Sequence, residues 1–292
     1  MAERDGFIPG VPCWVDTPQP DPKAALPFYE GVFGWEFEDV MPPGSPGQYC
    51  VGRIRGLDAG AVGSQPPGQP TPVAWNTYVW VESADDAAQK ARDAGGGVLM
   101  DPFDVMDAGR MAVLADPEGA VFCVWQANQH RGAGIVNEHG SINFNTLNSR
   151  DVDGAKAFYR SVFGWETLDL GGGQMWTLPG YGDYLEGLTP GLREGMKEMG
   201  APKGFEDVVA AVNQITGDEP PAWGVTFAVD DADAAAAKAS ELGGRVIAPP
   251  FDAPWVRMTV LADPQGATFI ASKFVPENKD LAPAEGTTAG AA

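Results

Sequence analysis

Few residues in this chain have the types and spacing that metal or acid–base chemistry requires. Only two histidines occur, His130 and His139, nine residues apart in one short segment. A two-histidine, one-carboxylate centre would have to draw both from that segment, and they read more simply as exposed linker residues. The cysteines, Cys13, Cys50 and Cys123, are odd in number and far apart, which fits reduced thiols rather than a disulfide framework. Cys123 with Asn76 makes a thin soft-metal set, and a buried, inert thiol is the commoner case. Arg110 and Arg257 each follow a Pro-Phe-Asp by a few residues (Asp104; Asp252). That spacing suits an Asp–Arg brace, or a guanidinium that grips an anion bidentately. Asp16 stands two residues from Trp14. A carboxyl against an aromatic wall has its pKa raised, as general acids need, although a turn or capping role competes. Tyr78, Tyr181 and Tyr184 are further hydroxyls whose direction the sequence leaves open.

The elements that position these groups come in duplicate. Residues 10–39 lie over 140–169 without a gap, sharing Asp21/Asp151, Phe28-Tyr29/Phe158-Tyr159 and Val32-Phe33-Gly34-Trp35-Glu36/Val162-Phe163-Gly164-Trp165-Glu166. A second block matches Ala74–Asp104 to Ala222–Asp252, and a third matches RMAVLADPEGAVF (110–122) to RMTVLADPQGATF (257–269). Three blocks in the same order mark a duplication, with Ala127–His139 as the joint. In each copy an apolar stretch (Pro12–Thr17; Ile142–Leu147) reads as a strand entering a turn led by Asp21 or Asp151. These aspartates sit where a helix N-cap belongs, with Pro22 at the first helical position. Ala25, Phe28, Tyr29 and Val32 recur at helical spacing, and Gly34 stops the helix. Trp35–Asp39, Gln48–Arg55 and a short stretch near Gly60–Gly63 read as strands. Thr77–Val81 then starts the plan again: helix 84–94, glycine stop, and strands at 98–100, 110–115 and 120–125. Asp116-Pro117-Glu118-Gly119 and Asp263-Pro264-Gln265-Gly266 carry a type I turn signature. Each copy is therefore βαβββ followed by βαβββ.

Composition bounds the partners. Forty acidic against nineteen basic residues give a net charge of −21. That field repels phosphate backbones and anionic lipid, so no nucleic acid and no membrane surface is expected. No apolar run is long enough to span a bilayer, and the N-terminus lacks the basic-then-apolar pattern of a secretory signal. A cytoplasmic protein is expected.

The order of elements, with Phe-Tyr-x-x-Val-Phe-Gly-Trp on the first helix and a closing Asp-Pro-x-Gly-x-x-Phe hairpin, resembles the vicinal oxygen chelate superfamily. That superfamily includes glyoxalase I, bleomycin-resistance proteins and extradiol dioxygenases. More narrowly, the chain looks like the tandem glyoxalase-like proteins of actinobacteria, some of them labelled hydroxylases. The resemblance covers residues 8–275 and implies an α+β fold: a tandem duplication of glyoxalase-like domains, four βαβββ units with sheets curled around clefts. It divides the chain into a first domain (8–127), a joint (128–139), a second domain (140–275) and a disordered tail (276–292). An extra helical insertion at about 183–221 is expected in copy two, with helices from Thr189-Pro190 to Met199 and through Phe205, Val208, Val209, Val212 and Ile215. It is either a lid or an interface.

Metal-using members of the superfamily place His, Gln or Glu on the first and last strand of each unit. The matching positions here are Trp14 and Phe144, Cys123 and Ile270, Asn76 and Gly224, with nothing acidic near Val62 and Glu186 near the fourth place in copy two. The resemblance thus implies no family-type metal and no cofactor. If the register holds, Trp14, Asp16, Asn76, Cys123 and Trp125 line one cleft, and Phe144, Thr146, Ile270 and Ser272 the other. Such walls suit a small hydrophobic or aromatic molecule, bound by a monomer or homodimer. The expected function is metal-independent small-molecule binding, with Asp16 a weak catalytic candidate. The alternative is a metal-independent accessory hydroxylase, isomerase or cyclase of secondary metabolism; a metal-dependent glyoxalase-type lyase is a third reading.

Overall fold

The computed structural model describes residues 3–65, 68, 72–170 and 173–281. Strand β1 (Pro12–Gln19) passes into helix α1 (Pro22–Phe33) through Asp21, whose carboxylate accepts the Ala24 N–H at 3.2 Å. This satisfies one of the orphan donors of the first turn, and Pro22 has none to lose. Gly34 ends the helix with φ 71°, a left-handed backbone that a side chain would strain. Strands β2 (Glu36–Asp39), β3 (Tyr49–Ile54) and β4 (Leu57–Ser64) complete the first unit. The second unit comprises β5 (Asn76–Trp80), α2 (Ala84–Asp93), β6 (Gly97–Val105), β7 (Gly109–Ala115) and β8 (Val121–Ala127).

Copy two begins with β9 (Ile142–Ser149), α3 (Val152–Phe163), β10 (Glu166–Asp169) and β11 (Gln174–Thr177). Two helices without counterpart, α4 (Tyr181–Leu188) and α5 (Leu192–Met199), then precede β12 (Val208–Gln214). The fourth unit is β13 (Ala222–Ala228), α6 (Ala232–Glu241), β14 (Arg245–Ala253), β15 (Val256–Ala262) and β16 (Thr268–Phe274). Each copy forms one eight-stranded sheet, ordered β2-β3-β4-β1-β5-β8-β7-β6 and β10-β11-β12-β9-β13-β16-β15-β14. The four βαβββ units and the tandem α+β architecture are as the resemblance implied.

Two sequence expectations fail in the insertion. The segment through Val208 and Val212 is the sheet strand β12, not an amphipathic helix. Its buried residues alternate as Val208, Ala210 and Val212, the period of a strand with one face packed. The helices therefore occupy 181–199, between the third and fourth strands of the unit. Glu186 lies on α4, where its carboxylate accepts the N–H groups of Gly191 and Arg193, far from a ligand role on a strand. At the C-terminus a short 3₁₀ turn spans Pro276–Asn278, and the rest of the expected tail, 282–292, lies outside the described residues.

The sheets meet back to back, helices between them, and the pairing crosses the copies. One core joins α1 and β1 of the first unit to α6, Phe227 and Phe269 of the fourth. The other joins α2 and Phe122 of the second unit to Phe158, Tyr159 and Trp165 of the third. The two Phe-Gly-Trp motifs lock this arrangement reciprocally. Trp35 donates its indole N–H to Gly140 O at 2.8 Å, and Trp165 donates to Gly10 O at 2.7 Å. Among the described residues no helix is long and apolar enough to cross a membrane.

Candidate functional site

With the helices packed on one face of each sheet, the opposite, outer face is left for function. Residues directly paired across strands share a face, so the register lays out both surfaces. In sheet one Trp14 pairs with Tyr78, Tyr78 with Cys123, and Asp16 with both Asn76 and Ala61. Trp125, in register with Trp80 and Met111, extends the wall.

Asp16 is the hub of this face and only 6% exposed. One carboxylate oxygen accepts the Asn76 amide at 2.8 Å. The other accepts the hydroxyls of Tyr78 at 2.8 Å and Tyr49 at 2.9 Å. The Tyr49 oxygen in turn accepts the Trp14 indole N–H at 2.9 Å. Burial pushes the Asp16 carboxyl above its ordinary range, opposed by the three donors. Desolvation also pushes up Tyr49, Tyr78 and the Cys123 thiol. Sequence reasoning singled out Asp16, Trp14, Asn76 and Tyr78 but had no signal for Tyr49, which comes from β3, two strands across the sheet from β1.

The linker reading of His130 is corrected by the structure. Its ring packs edge-on against Trp14 at 4.4 Å and lies 5.7 Å from Trp125, whose indole N–H donates to the His130 carbonyl. Nδ1 lies 3.7 Å from an Asp58 carboxylate oxygen, while Nε2 is buried without a hydrogen-bond partner. Burial lowers its pKa, Asp58 opposing, which favours the neutral imidazole. The joint thus folds back over sheet one. His139, by contrast, is half-buried and accepts the Asp230 N–H at 3.1 Å.

The raised pKa of Asp16 predicts a signed pH dependence. The folded protein retains this proton to higher pH than the unfolded chain, so the associated stability is complete below about pH 4 and is lost as pH rises through the folded value. Asp16→Asn cannot titrate. Urea midpoints of the wild type should therefore fall relative to Asp16→Asn as the pH is raised from about 4. A wild type that gains on the variant with rising pH would refute the assignment.

Sheet two has the same register and different chemistry. Phe144 pairs with Thr226, Thr226 with Ile270, and Thr146 with both Gly224 and Ala211. Phe144, Thr146 and Ile270 are half-buried where their counterparts Trp14, Asp16 and Cys123 are buried, while Tyr78 and Thr226 are both buried and Asn76 and Gly224 both half-buried. The structure thus gathers the candidate residues into two separate faces, one closed and one half-open.

Neither face fits a His/carboxylate metal centre. Asp16 is the sole carboxylate at these positions in sheet one and both its oxygens are committed; Cys123 is held as a thiol; sheet two offers Phe, Thr, Gly, Ala and Ile. Among the described residues no group of three or more His, Cys, Asp or Glu side chains is placed to hold a metal ion. The duplicated arginines are braces. Arg110 grips Asp85 with two bonds (2.7 and 3.0 Å) and Asp104 with one, and Arg257 does the same with Asp233 and Asp252.

Residues 141–270 match the family of the Glyoxalase/Bleomycin resistance protein/Dioxygenase superfamily, and residues 14–125 match the Glyoxalase-like domain. Over 282 residues the chain is 40% identical to CFP32 of Mycobacterium tuberculosis, provisionally named a glyoxylase, spanning 95% of this chain and 100% of that one. It is 34% identical to the anthracycline biosynthesis protein DauV of a Streptomyces species, over 90% of this chain and 93% of that protein. Among solved structures, the Mn(II)-bound glyoxalase from Novosphingobium aromaticivorans superposes with a TM-score of 0.58 at 16% identity, covering 91% of this chain and 83% of that one. The 2,3-dioxygenase LapB from Pseudomonas sp. KL28 gives 0.57 at 11% identity, covering 91% and 93%. At these identities the solved structures bear on the fold alone. With both halves matched and full-length relatives above 30% identity, this chain belongs to the glyoxalase/bleomycin resistance protein/dioxygenase superfamily.

Proposed function

We propose that the chain binds a flat, largely apolar small molecule on an outer sheet face without a resident metal. The observation that carries this reading is the donor set: aromatic, aliphatic and neutral polar side chains stand where a metal-binding relative needs imidazoles and carboxylates. Aromatic walls with a few fixed polar groups favour planar ligands. The similarity to DauV, named as an anthracycline biosynthesis protein, supports the same class, because the anthraquinone part of an anthracycline is planar and aromatic. Native mass spectrometry of the purified protein tests the reading. A retained or added planar molecule should appear at one or two per chain with no bound metal. A stoichiometric divalent ion, needed for that complex to form, would overturn it.

A second reading is favoured by one specific observation, the desolvated Asp16 carboxyl with its raised pKa. Such a group suits general acid catalysis, in an accessory isomerase or cyclase of secondary metabolism. On that reading Asp16→Asn abolishes turnover while leaving binding within about threefold. Unchanged turnover would exclude it.

A further inference from the structure

The matched registers allow the two outer faces to be compared position by position. Tyr78 of sheet one is Thr226 in sheet two, Trp125 is Ser272, Trp80 is Ala228 and Asn76 is Gly224. Tyr49, which reaches Asp16, has its counterpart at Gly173. The replacements in the other direction, Cys123 to Ile270 and Val51 to Met175, add apolar atoms and no charge. In sheet one the large side chains bond to one another and His130 lies across them. In sheet two smaller side chains stand at the centre of the same surface, and Phe144, Thr146, Gly224 and Ile270 are half-exposed there.

Gly224 is the smallest of these replacements and faces open space. A Cβ built there would meet nothing nearer than the Thr146 carbonyl at 3.8 Å and the Asn148 amide at 3.9 Å. Its backbone is not left-handed, so no conformational demand explains the glycine. Beside it, Asn148 and Asn213 replace Pro18 and Gly63 and touch through a long amide contact of 3.4 Å, leaving hydrogen-bonding capacity on both side chains. Thr146 adds a hydroxyl where sheet one has the Asp16 carboxylate. No charged residue lies at these central positions, so a charged ligand would be desolvated there without a counter-charge.

Building on the metal-independent binding reading, we propose that the two copies have divided their roles. Sheet two is the ligand seat, for a neutral planar aromatic molecule with carbonyl or hydroxyl groups on one edge, and sheet one is a closed framework. Phe144 and Ile270 supply the apolar contact; Thr146, Asn148 and Asn213 bond the polar edge. Gly224 is the position that keeps the seat open.

The test titrates a hydroxymethyl-substituted anthraquinone, which is neutral and a poor chelator, into the full chain. Gly224→Asn, which restores the residue of copy one in open space, should weaken binding by at least about tenfold. Phe144→Ala should do the same, and Asn76→Gly in sheet one should change affinity less than about twofold. An anthraquinone sulfonate should bind at least about tenfold more weakly than the neutral probe. Circular dichroism establishes that each variant is folded. If Gly224→Asn and Phe144→Ala leave affinity unchanged while Asn76→Gly alters it, the seat lies on sheet one: the division of roles fails and metal-independent binding stands. Equal binding of the sulfonate overturns the neutral ligand class. If the wild type binds the probe only after a divalent ion is added, the broader reading fails as well.

Discussion

Asp263→Ala should lower the free energy of unfolding by about 3–5 kcal/mol, a large share of what a domain possesses. The residue reads in sequence as the first position of a turn, but it is buried and its carboxylate serves five donors. One oxygen accepts the N–H groups of Gln265, Gly266 and Ala267 at 2.7–2.9 Å. The other accepts the Tyr29 hydroxyl at 2.8 Å and the Gln19 amide at 2.7 Å, both from the opposite copy. Alanine removes the side-chain acceptor from all five; the Gln19 amide keeps Thr17 Oγ1 and the Gly266 N–H keeps the backbone carbonyl of residue 263, and each donor left buried and unpaired costs about 1–3 kcal/mol. Relaxation and water entry keep the total below the sum. Asp263→Asn, which retains an acceptor for the turn, should lose less. Urea unfolding followed by tryptophan fluorescence measures both; a loss below about 1 kcal/mol for the alanine variant would show that the network is not structural.

Trp35→Ala should be comparably damaging, at about 3–5 kcal/mol. The indole is buried among Phe33, Trp75 and Phe227, over a floor made by two glycines. A Cβ on Gly52 would lie 2.2 Å from its ring, and one on Gly60 2.8 Å. Removing the ring leaves a cavity the backbone floor cannot fill, and it orphans the Gly140 carbonyl at the entrance to the other copy. Because the cores join the first unit to the fourth and the second to the third, the damage cannot be confined to copy one. Unfolding of Trp35→Ala should remain a single transition, with amide exchange rising together in both sheets. A two-step transition in which sheet two survives would contradict the crossed packing.

These two residues also show what the sequence made legible. The Phe-Gly-Trp and Asp-Pro-x-Gly motifs identified the duplication, the helix caps and the turns, because each depends on neighbouring residues. Asp21, Gly34, Asp151 and Gly164 cap their helices as their types and positions dictate. What each motif does across the molecule was hidden. No local pattern tells that Trp35 donates to Gly140, or that Asp263 receives Tyr29, since those partners lie more than a hundred residues away. Strand β12 was misread because its buried alanine breaks the visible alternation and its valines also fit a helical stripe. Their β-branching was the usable signal. His130 was misread because the fold-back of the joint over Trp14 is a tertiary event. Asp16 was found from strand alternation, yet the hydroxyl of Tyr49 and the closure of its face depend on the sheet order.

On the proposed reading, ligand binding in this chain needs no metal. Calorimetric titration of the neutral anthraquinone probe into EDTA-treated, dialysed protein, and again after restoring Mn(II), Ni(II) or Zn(II), tests it most directly. Saturable binding with affinities agreeing within about twofold in all four samples is the predicted result. Binding that is absent from the stripped protein and restored at one ion per chain would contradict it.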